Sequence, residues 1–445
     1  MVSKHQIAFT EGPVGRQLSA LTLPMVWAIL ALMSFNAADT YFVAQLGEHP
    51  LAAMSFTFPV AMVLTSVAIG LGAGMSTGIA RALGAGDQDK ARRLATDGVS
   101  LTLFIALLIS VMGYFSIDPV FALLGADESL LPLIREYMTI WYLGAPGLIA
   151  PIVCTATLRA NGLSRLQSYL MIVPSLANIV LDPLLIFGLY GFPRLELAGA
   201  AIATVVVRLS TLAVALWVMR RIGILVNPFI PLTSLWHSWK QIFHVGIPAM
   251  ATNVIIPLSS ALVVALVAQY GSAAVAGFGV ATRIEMLALI CFYALSSIVG
   301  PFFGQNLGAG KPERLVQAVR VITLFCLGWG LLLALLLWLF AEEIGRQFSE
   351  SAAVLEVVVV YLSIVPLSYG AYGLVMSANA AFNGLAKPMP GLLLSSSRVL
   401  LVFLPLALLG QWFWQLPGLF VAAALANLLC GVWGYLWIGR SIARH

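Results

Sequence analysis

The sequence predicts an all-α integral membrane protein, twelve transmembrane helices in two pseudo-symmetric six-helix lobes, and three observations carry that prediction. The chain is 61% hydrophobic and only 9% charged, with a mean hydropathy of +0.98, too apolar to fold as a water-soluble core. Its apolar runs are long and separated by short charged or Gly/Pro-containing loops, which suits helices; a β-barrel shows alternating segments of about 10 residues instead. The second half of the chain also repeats the first.

The apolar segments fall at about 18–45, 51–80, 94–116, 132–158, 166–190, 196–219, 242–269, 275–304, 316–340, 353–382, 390–410 and 417–438. Lys and Arg test the count, because cytoplasmic loops are enriched in them. With the N-terminus inside, 17 of the 23 basic residues fall in inner segments. The outer segments hold only Arg135, Arg194 and Arg346, against ten acids. Both termini are therefore expected in the cytoplasm, and a bacterial inner membrane is the expected location. The polar N-terminus shows no cleavable signal peptide, so the first span serves as the insertion signal.

The repeat has a fixed offset. Leu23-Pro24 matches Ile247-Pro248, AQLG at 44–47 matches AQYG at 268–271, LGAG at 83–86 matches LGAG at 307–310, and YMTI at 137–140 matches YLSI at 361–364, each 224 residues apart. NGL at 161–163 matches NGL at 383–385 at an offset of 222. Six spans duplicated give two parallel repeats, since an even number returns the chain to the same side. The expected division is an N-terminal lobe at 1–219, a cytoplasmic linker at 220–240 and a C-terminal lobe at 241–445.

Six charged residues lie inside the spans: Asp39, Asp182 and Arg208 in the first lobe, then Arg283, Glu285 and Arg398 in the second. Charge in a bilayer is costly and marks function unless it is paired. Buried ion pairs that only fix packing are the competing reading, stronger for Glu285, which has two candidate partners. Depth separates the first-lobe acids. Asp39 stands eight residues before Gly47, Asp182 nine before Gly191, and Thr204 seven after Leu197. At about 1.5 Å per residue the three share one level in the outer half of the membrane.

Asn178 is one helical turn before Asp182, and Asn36 three residues before Asp39. Pro183 cannot donate to the carbonyl of Ile179, so the fifth span is expected to kink there; Pro24 is a second kink point, in the first span. Two carboxylates with amides and a hydroxyl make an oxygen-rich pocket for a proton or a sodium ion. Phe35, Tyr41, Phe56, Tyr293, Tyr369 and Tyr372 are candidate cavity linings, although most such residues pack or face lipid.

Other chemistry finds no support. GLGAGMSTG at 70–78 carries Gly70, Gly74 and Gly78 at four-residue spacing, which lets helices approach closely. GAGKPE at 308–313 lacks the first glycine and the Ser/Thr of a phosphate loop. None of the five histidines lies at mid-membrane, so no metal cluster is expected. Cys154, Cys291, Cys326 and Cys430 lie in apolar runs without CxxC spacing and read as free thiols.

The duplicated plan, the Leu-Pro of the first span, NAADTYFVAQLG around Asp39, the two LGAG loops, ATRIE at 281–285 and NIVLDPLLIFG around Asp182 resemble the multidrug and toxic compound extrusion (MATE) transporters, in particular the DinF-like branch. The resemblance covers essentially the whole chain. It implies a secondary active efflux transporter that expels cationic or amphipathic organic compounds in exchange for H+ or Na+ by alternating access. It implies no enzyme activity, no cofactor beyond the coupling ion, no nucleic acid, membrane lipid as surroundings, and a monomer.

Carried over residue by residue, Asp39, Asn178 and Asp182 are the coupling residues and Thr204 the hydroxyl of the sixth span. Asn36, Arg208, Arg283, Glu285 and Arg398 are accessory candidates. The NorM-like branch carries acids in spans seven and ten; none is read there in this chain, which places coupling in the first lobe. A lipid or lipid-linked oligosaccharide flippase of the same superfamily is the alternative, kept open by Arg208, Arg283 and Arg398.

Overall fold

The structure is a computed structural model describing residues 9–228, 232–349 and 351–444. Its first repeat runs α1 (Val14–Ala44), α2 (Glu48–Gly84), α3 (Gln88–Leu123), α4 (Leu131–Leu143), α5 (Ala145–Ala160), α6 (Ser164–Phe187) and α7 (Glu196–Arg221). The second runs α8 (Leu232–Ala268), α9 (Ser272–Ala288), α10 (Ile290–Gly308), α11 (Pro312–Leu339), a short α12 (Ala341–Arg346), α13 (Ala352–Ile364), α14 (Tyr369–Gly384), α15 (Pro388–Ser397) and α16 (Leu404–Ile442).

Among the described residues these make twelve spans. The pair α4 and α5 is one span bent by 48°, and α9 with α10 one bent by 49°. Residues Pro388–Ile442 form 55 residues of nearly unbroken helix, about 80 Å at 1.5 Å per residue and more than twice a hydrocarbon core. Gln415 turns the chain back, with φ 52° and ψ −131°. The backbones of Gly410 and Gly418 consequently meet where no Cβ would fit.

The bend between α4 and α5 follows from sequence. Pro146 has no N–H for the carbonyl of Tyr142, and the hydroxyl of Ser110 on α3 donates to that carbonyl at 2.6 Å instead. Pro24 and Pro183, by contrast, interrupt neither helix: α1 continues through Pro24 and α6 through Pro174 and Pro183.

The repeat is visible in the backbone. Gly47 and Gly271 start α2 and α9 with φ of 116° and 96°, and Gly86 and Gly310 close the LGAG turns with φ of 79° and 65°, a left-handed conformation that favours glycine. The NGL match is displaced from the structural equivalence. The left-handed turn before α6 falls on Gly162 (φ 75°) and that before α15 on Ala386 (φ 54°), which restores the 224-residue offset.

Residue packing divides the chain into two units, Leu23–Met250 and Phe9–Thr22 with Ala251–His445. The sequence placed the boundaries at 219 and 241; the difference arises because α1 and α8 are each shared. In the first unit, Gly70 and Gly74 of α2 lie so close to α8 that a Cβ would strike the backbones of Gly246 and Met250, and of Ile242. This is the close approach expected of that glycine series. Arg93 of α3 donates to the carbonyl of Asn227 at 2.7 Å and pairs with the fully buried Asp97. Trp239 Nε1 donates to the carbonyl of Asp97 at 3.1 Å.

The second unit holds the start of α1 in a similar way. Phe9 is fully buried, edge-on to Phe302 at 6.0 Å. Arg314 of α11 donates to the carbonyls of Phe9 and Gly12 at 3.2 and 2.9 Å and to the Gln17 side chain at 2.8 Å. All four cysteines are free, three of them buried and Cys291 half-buried.

Adding a methyl group at Gly74 presses it into the backbone of α8, whereas the same change at Gly328 of α11 meets open space. Gly74→Ala is therefore expected to destabilise the protein by about 1–3 kcal/mol, read as a lower thermal midpoint in detergent, with Gly328→Ala unchanged or slightly stabilised. Replacing Arg93 by Met leaves Asp97 buried without its partner and is expected to cost about 3–5 kcal/mol by the same measurement.

Candidate functional site

The first unit brings Asp39 and Asp182 together from helices far apart in sequence. Asp39 lies on α1 and is 7% exposed; Asp182 lies on α6 and is fully buried. The two carboxylates interact electrostatically, and Tyr137 on α4, 3% exposed, interacts with both. Asn178, one turn before Asp182, is 1% exposed. Helices α6 and α7 approach so tightly that a Cβ on Gly199 would lie 2.6 Å from the carbonyl oxygen of Leu185. Thr204, 5% exposed, is on α7, just over one turn beyond that contact.

Hydrogen-bond capacity defines the chemistry. Oδ1 of Asp39, both carboxylate oxygens of Asp182 and Oδ1 of Asn178 are buried with no hydrogen-bond partner. All four are acceptors. Unsatisfied buried acceptors raise the energy of an empty site, and either a proton or a hard cation relieves them: the proton converts one acceptor into a donor, and the cation takes oxygen ligands directly. Among the described residues no group of three or more His, Cys, Asp or Glu side chains forms a metal site, so the arrangement does not suit a transition metal.

An apolar shell walls the cluster. Val43 of α1, Ala53 and Leu64 of α2, Ile134, Tyr137 and Met138 of α4, Ile186 of α6 and Leu197 of α7 belong to one buried core. Tyr137 stacks on Trp141 with ring centroids 6.0 Å apart, which fixes the orientation of its ring. Sequence reading missed Tyr137 as a site residue, although its signal was present: YMTI and YLSI align it with Tyr361, whose hydroxyl donates to Glu285 in the second unit. In both repeats this tyrosine faces an acid.

The accessory candidates separate. Asn36 is exposed, outside the buried cluster, and its carbonyl accepts from Thr40 Oγ1 at 2.9 Å. Arg208 is half-buried one turn beyond Thr204, with Nε unpartnered. Arg283 is exposed. Glu285 and Arg398 lie in a separate cluster of the second unit. Among the described residues none of the six span charges joins an ion pair within 4.0 Å, which removes the reading of packing salt bridges.

Two further acids correct the sequence reading. Asp97 sits fully buried in α3, paired with Arg93 at the i,i+4 spacing that would have revealed it. Glu356, in a tenth span read as free of acids, lies near the start of α13 and is exposed. Of the candidate linings, Phe35 and Tyr369 are buried, Tyr293 and Tyr372 half-buried, and Tyr41 exposed.

Twelve spans built from a duplicated six, with a buried pair of unpaired carboxylates in one repeat, define a multi-pass membrane protein with the architecture of a secondary transporter. The chain belongs to the MATE family: the MatE family model matches residues 24–184 and 248–409, one match to each repeat at the 224-residue offset. A Shewanella oneidensis protein named FAD transporter is 39% identical over 432 residues, 96% of this chain and 95% of that protein. The probable multidrug resistance protein YoeA of Bacillus subtilis is 26% identical, covering 90% of this chain and 89% of its own. The crystal structure of the Vibrio cholerae MATE transporter VcmN in its bent form superposes with a TM-score of 0.92 at 32% identity, covering 97% of each chain.

Tyr137→Phe keeps the ring and its stacking but removes the hydroxyl beside the acids. The expected outcome is a thermal midpoint close to wild type with transport in proteoliposomes lowered on the order of several-fold; unchanged transport would assign Tyr137 to packing.

Proposed function

We propose that this protein is a secondary active exporter of amphipathic, ring-bearing organic compounds, driven by exchange with H+ or Na+ at Asp39 and Asp182. The observation that carries the reading is the group of four buried acceptor oxygens on Asp39, Asn178 and Asp182 without a donor among them. Tyr137 and Thr204 complete the pocket. The family and the multidrug naming of relatives such as YoeA support the substrate class.

Binding of one monovalent cation removes one of the site's two negative charges and lowers the cost of burying the pair. A ligand shifts a conformational equilibrium only by its differential affinity for the two states. The coupling ion thus favours the state that closes the acids off from water, and its release favours the state that hydrates them. Coupling in the first repeat matches the DinF-like pattern, with the protein a monomer in a bacterial inner membrane and both termini cytoplasmic.

A second reading narrows the substrate to a flavin dinucleotide. It is favoured by the 39% identity with the Shewanella oneidensis FAD transporter across nearly the whole of both chains. Such a substrate is anionic, so it needs a cationic contact away from the Asp39 and Asp182 pair.

Proteoliposomes loaded with ethidium or with FAD, under a proton gradient or a sodium gradient separately, test the proposal. Asp39→Asn and Asp182→Asn are each expected to lower gradient-driven export on the order of tenfold or more while folding normally, and the gradient that drives wild-type export identifies the ion. Full export by both variants would make the acids structural.

A further inference from the structure

The charges of the second unit that coupling leaves unused converge on Arg398. This residue opens a π-helical turn, Arg398–Phe403, between α15 and α16, a helix irregularity that recurs at functional sites. It is half-buried, and its guanidinium carbon stands 5.0 Å over the ring of Tyr372. One terminal nitrogen donates to Asn427 Oδ1 at 3.1 Å. Asn427 donates in turn to Ser368 Oγ at 3.1 Å, and that serine is fully buried. The ring and the relay fix the orientation of the guanidinium.

Its charge is not met. Arginine stays protonated in proteins, and a buried cation without a counter-ion is costly. Glu285 interacts with Arg398 electrostatically, yet among the described residues no acid oxygen lies within 4.0 Å of it. Glu285 instead accepts from the hydroxyl of Tyr361, which holds it back from the arginine. The Nε of Arg398 is buried without a partner, as is the hydroxyl of the fully buried Tyr369. A packing ion pair would have closed this gap.

What is left without a partner is the buried Nε edge of a guanidinium, part of the fork that grips a carboxylate or phosphate through two parallel N–H bonds once a ligand reaches it. Half-buried Tyr293 and Tyr372 both interact electrostatically with Arg398, so aromatic surface lies beside the charge. The repeats differ in charge here: the fifth span of the first carries Asp182, and the fifth span of the second carries Arg398, with Glu285 in the same cluster. An organic anion is repelled by the two acids of the first cluster and finds a cationic contact in the second at Arg398.

We propose that the second unit carries a binding site for a ring-bearing organic anion. Its phosphate or carboxylate seats on Arg398, its ring packs against Tyr293 and Tyr372, and Glu285 accepts from N–H or hydroxyl groups of the same molecule. The proposal rests on reading the chain as an exporter of organic solutes, and it gives that exporter a place for anionic substrates.

Equilibrium binding tests it, with protein in phosphatidylcholine nanodiscs and flavin fluorescence as readout. The probes are FAD and riboflavin 5′-phosphate, with riboflavin, the same ring without phosphate, as the comparison. Wild type is expected to bind the two phosphate-bearing probes more tightly than riboflavin. Arg398→Gln is expected to weaken both on the order of tenfold and leave riboflavin unmoved, with Arg398→Lys in between. Equal affinities in wild type and Arg398→Gln, no wild-type binding of either phosphate-bearing probe, or a parallel loss for riboflavin would overturn the proposal.

Replacing half of the lipid by phosphatidylglycerol separates the sources of phosphate. Displacement of the probes through Arg398 would assign the site to a lipid headgroup and refute a solute site. If Arg398→Gln does not fold, Arg398→Lys and Tyr372→Leu carry the test. Full export by Asp39→Asn and Asp182→Asn with Arg398-dependent binding retained would sink the coupling reading alone.

Discussion

A carboxylate placed among apolar helices must meet a donor, a cation or a proton, and in this protein Asp39 and Asp182 meet no donor. That constraint organises the first unit. Asp39 on α1, Tyr137 on α4 and Asp182 on α6 interact within it, and close packing contacts hold the helices that carry and flank them. The tight approach of Gly199 to the backbone of α6 sets the distance between α6 and α7. The bend at Pro146, with the freed carbonyl of Tyr142 met by Ser110, lets one span change direction just beyond Tyr137. The cost of burying acceptors becomes useful only because these contacts are rigid.

The two repeats share a backbone and diverge in chemistry. Their turns match residue for residue at Gly47 and Gly271 and at Gly86 and Gly310, and the tyrosines Tyr137 and Tyr361 both face acids. The charges they enclose differ. One repeat surrounds two acids without a cation, and the other surrounds an arginine without an ion-paired acid. Duplication thus supplies a scaffold twice, while side-chain substitution on that scaffold produces two environments of different charge.

Much of the fold was legible because bilayer physics writes itself into sequence. Long apolar runs, basic residues confined to alternate loops and a 224-residue offset each report one constraint, and twelve spans satisfy all of them. The reading failed where local pattern and packing part. NGL recurs at an offset of 222, but the left-handed turn moved to Ala386. Asp97 escaped notice although Arg93 stood one turn away.

The sequence by itself determined the membrane class and the duplication and singled out Asp39 and Asp182 as acids within the spans, because composition, periodicity and depth along a helix are one-dimensional quantities. It also singled out Glu285 and Arg398 without saying what they do. Only the tertiary structure decided that Tyr137 joins the acids, that Asn36 does not, and that Glu285 turns to Tyr361. Those outcomes depend on the rotation of each helix about its axis and on close contacts across helices. A rotation of 100° per residue is invisible in a list of residues until neighbours fix its phase.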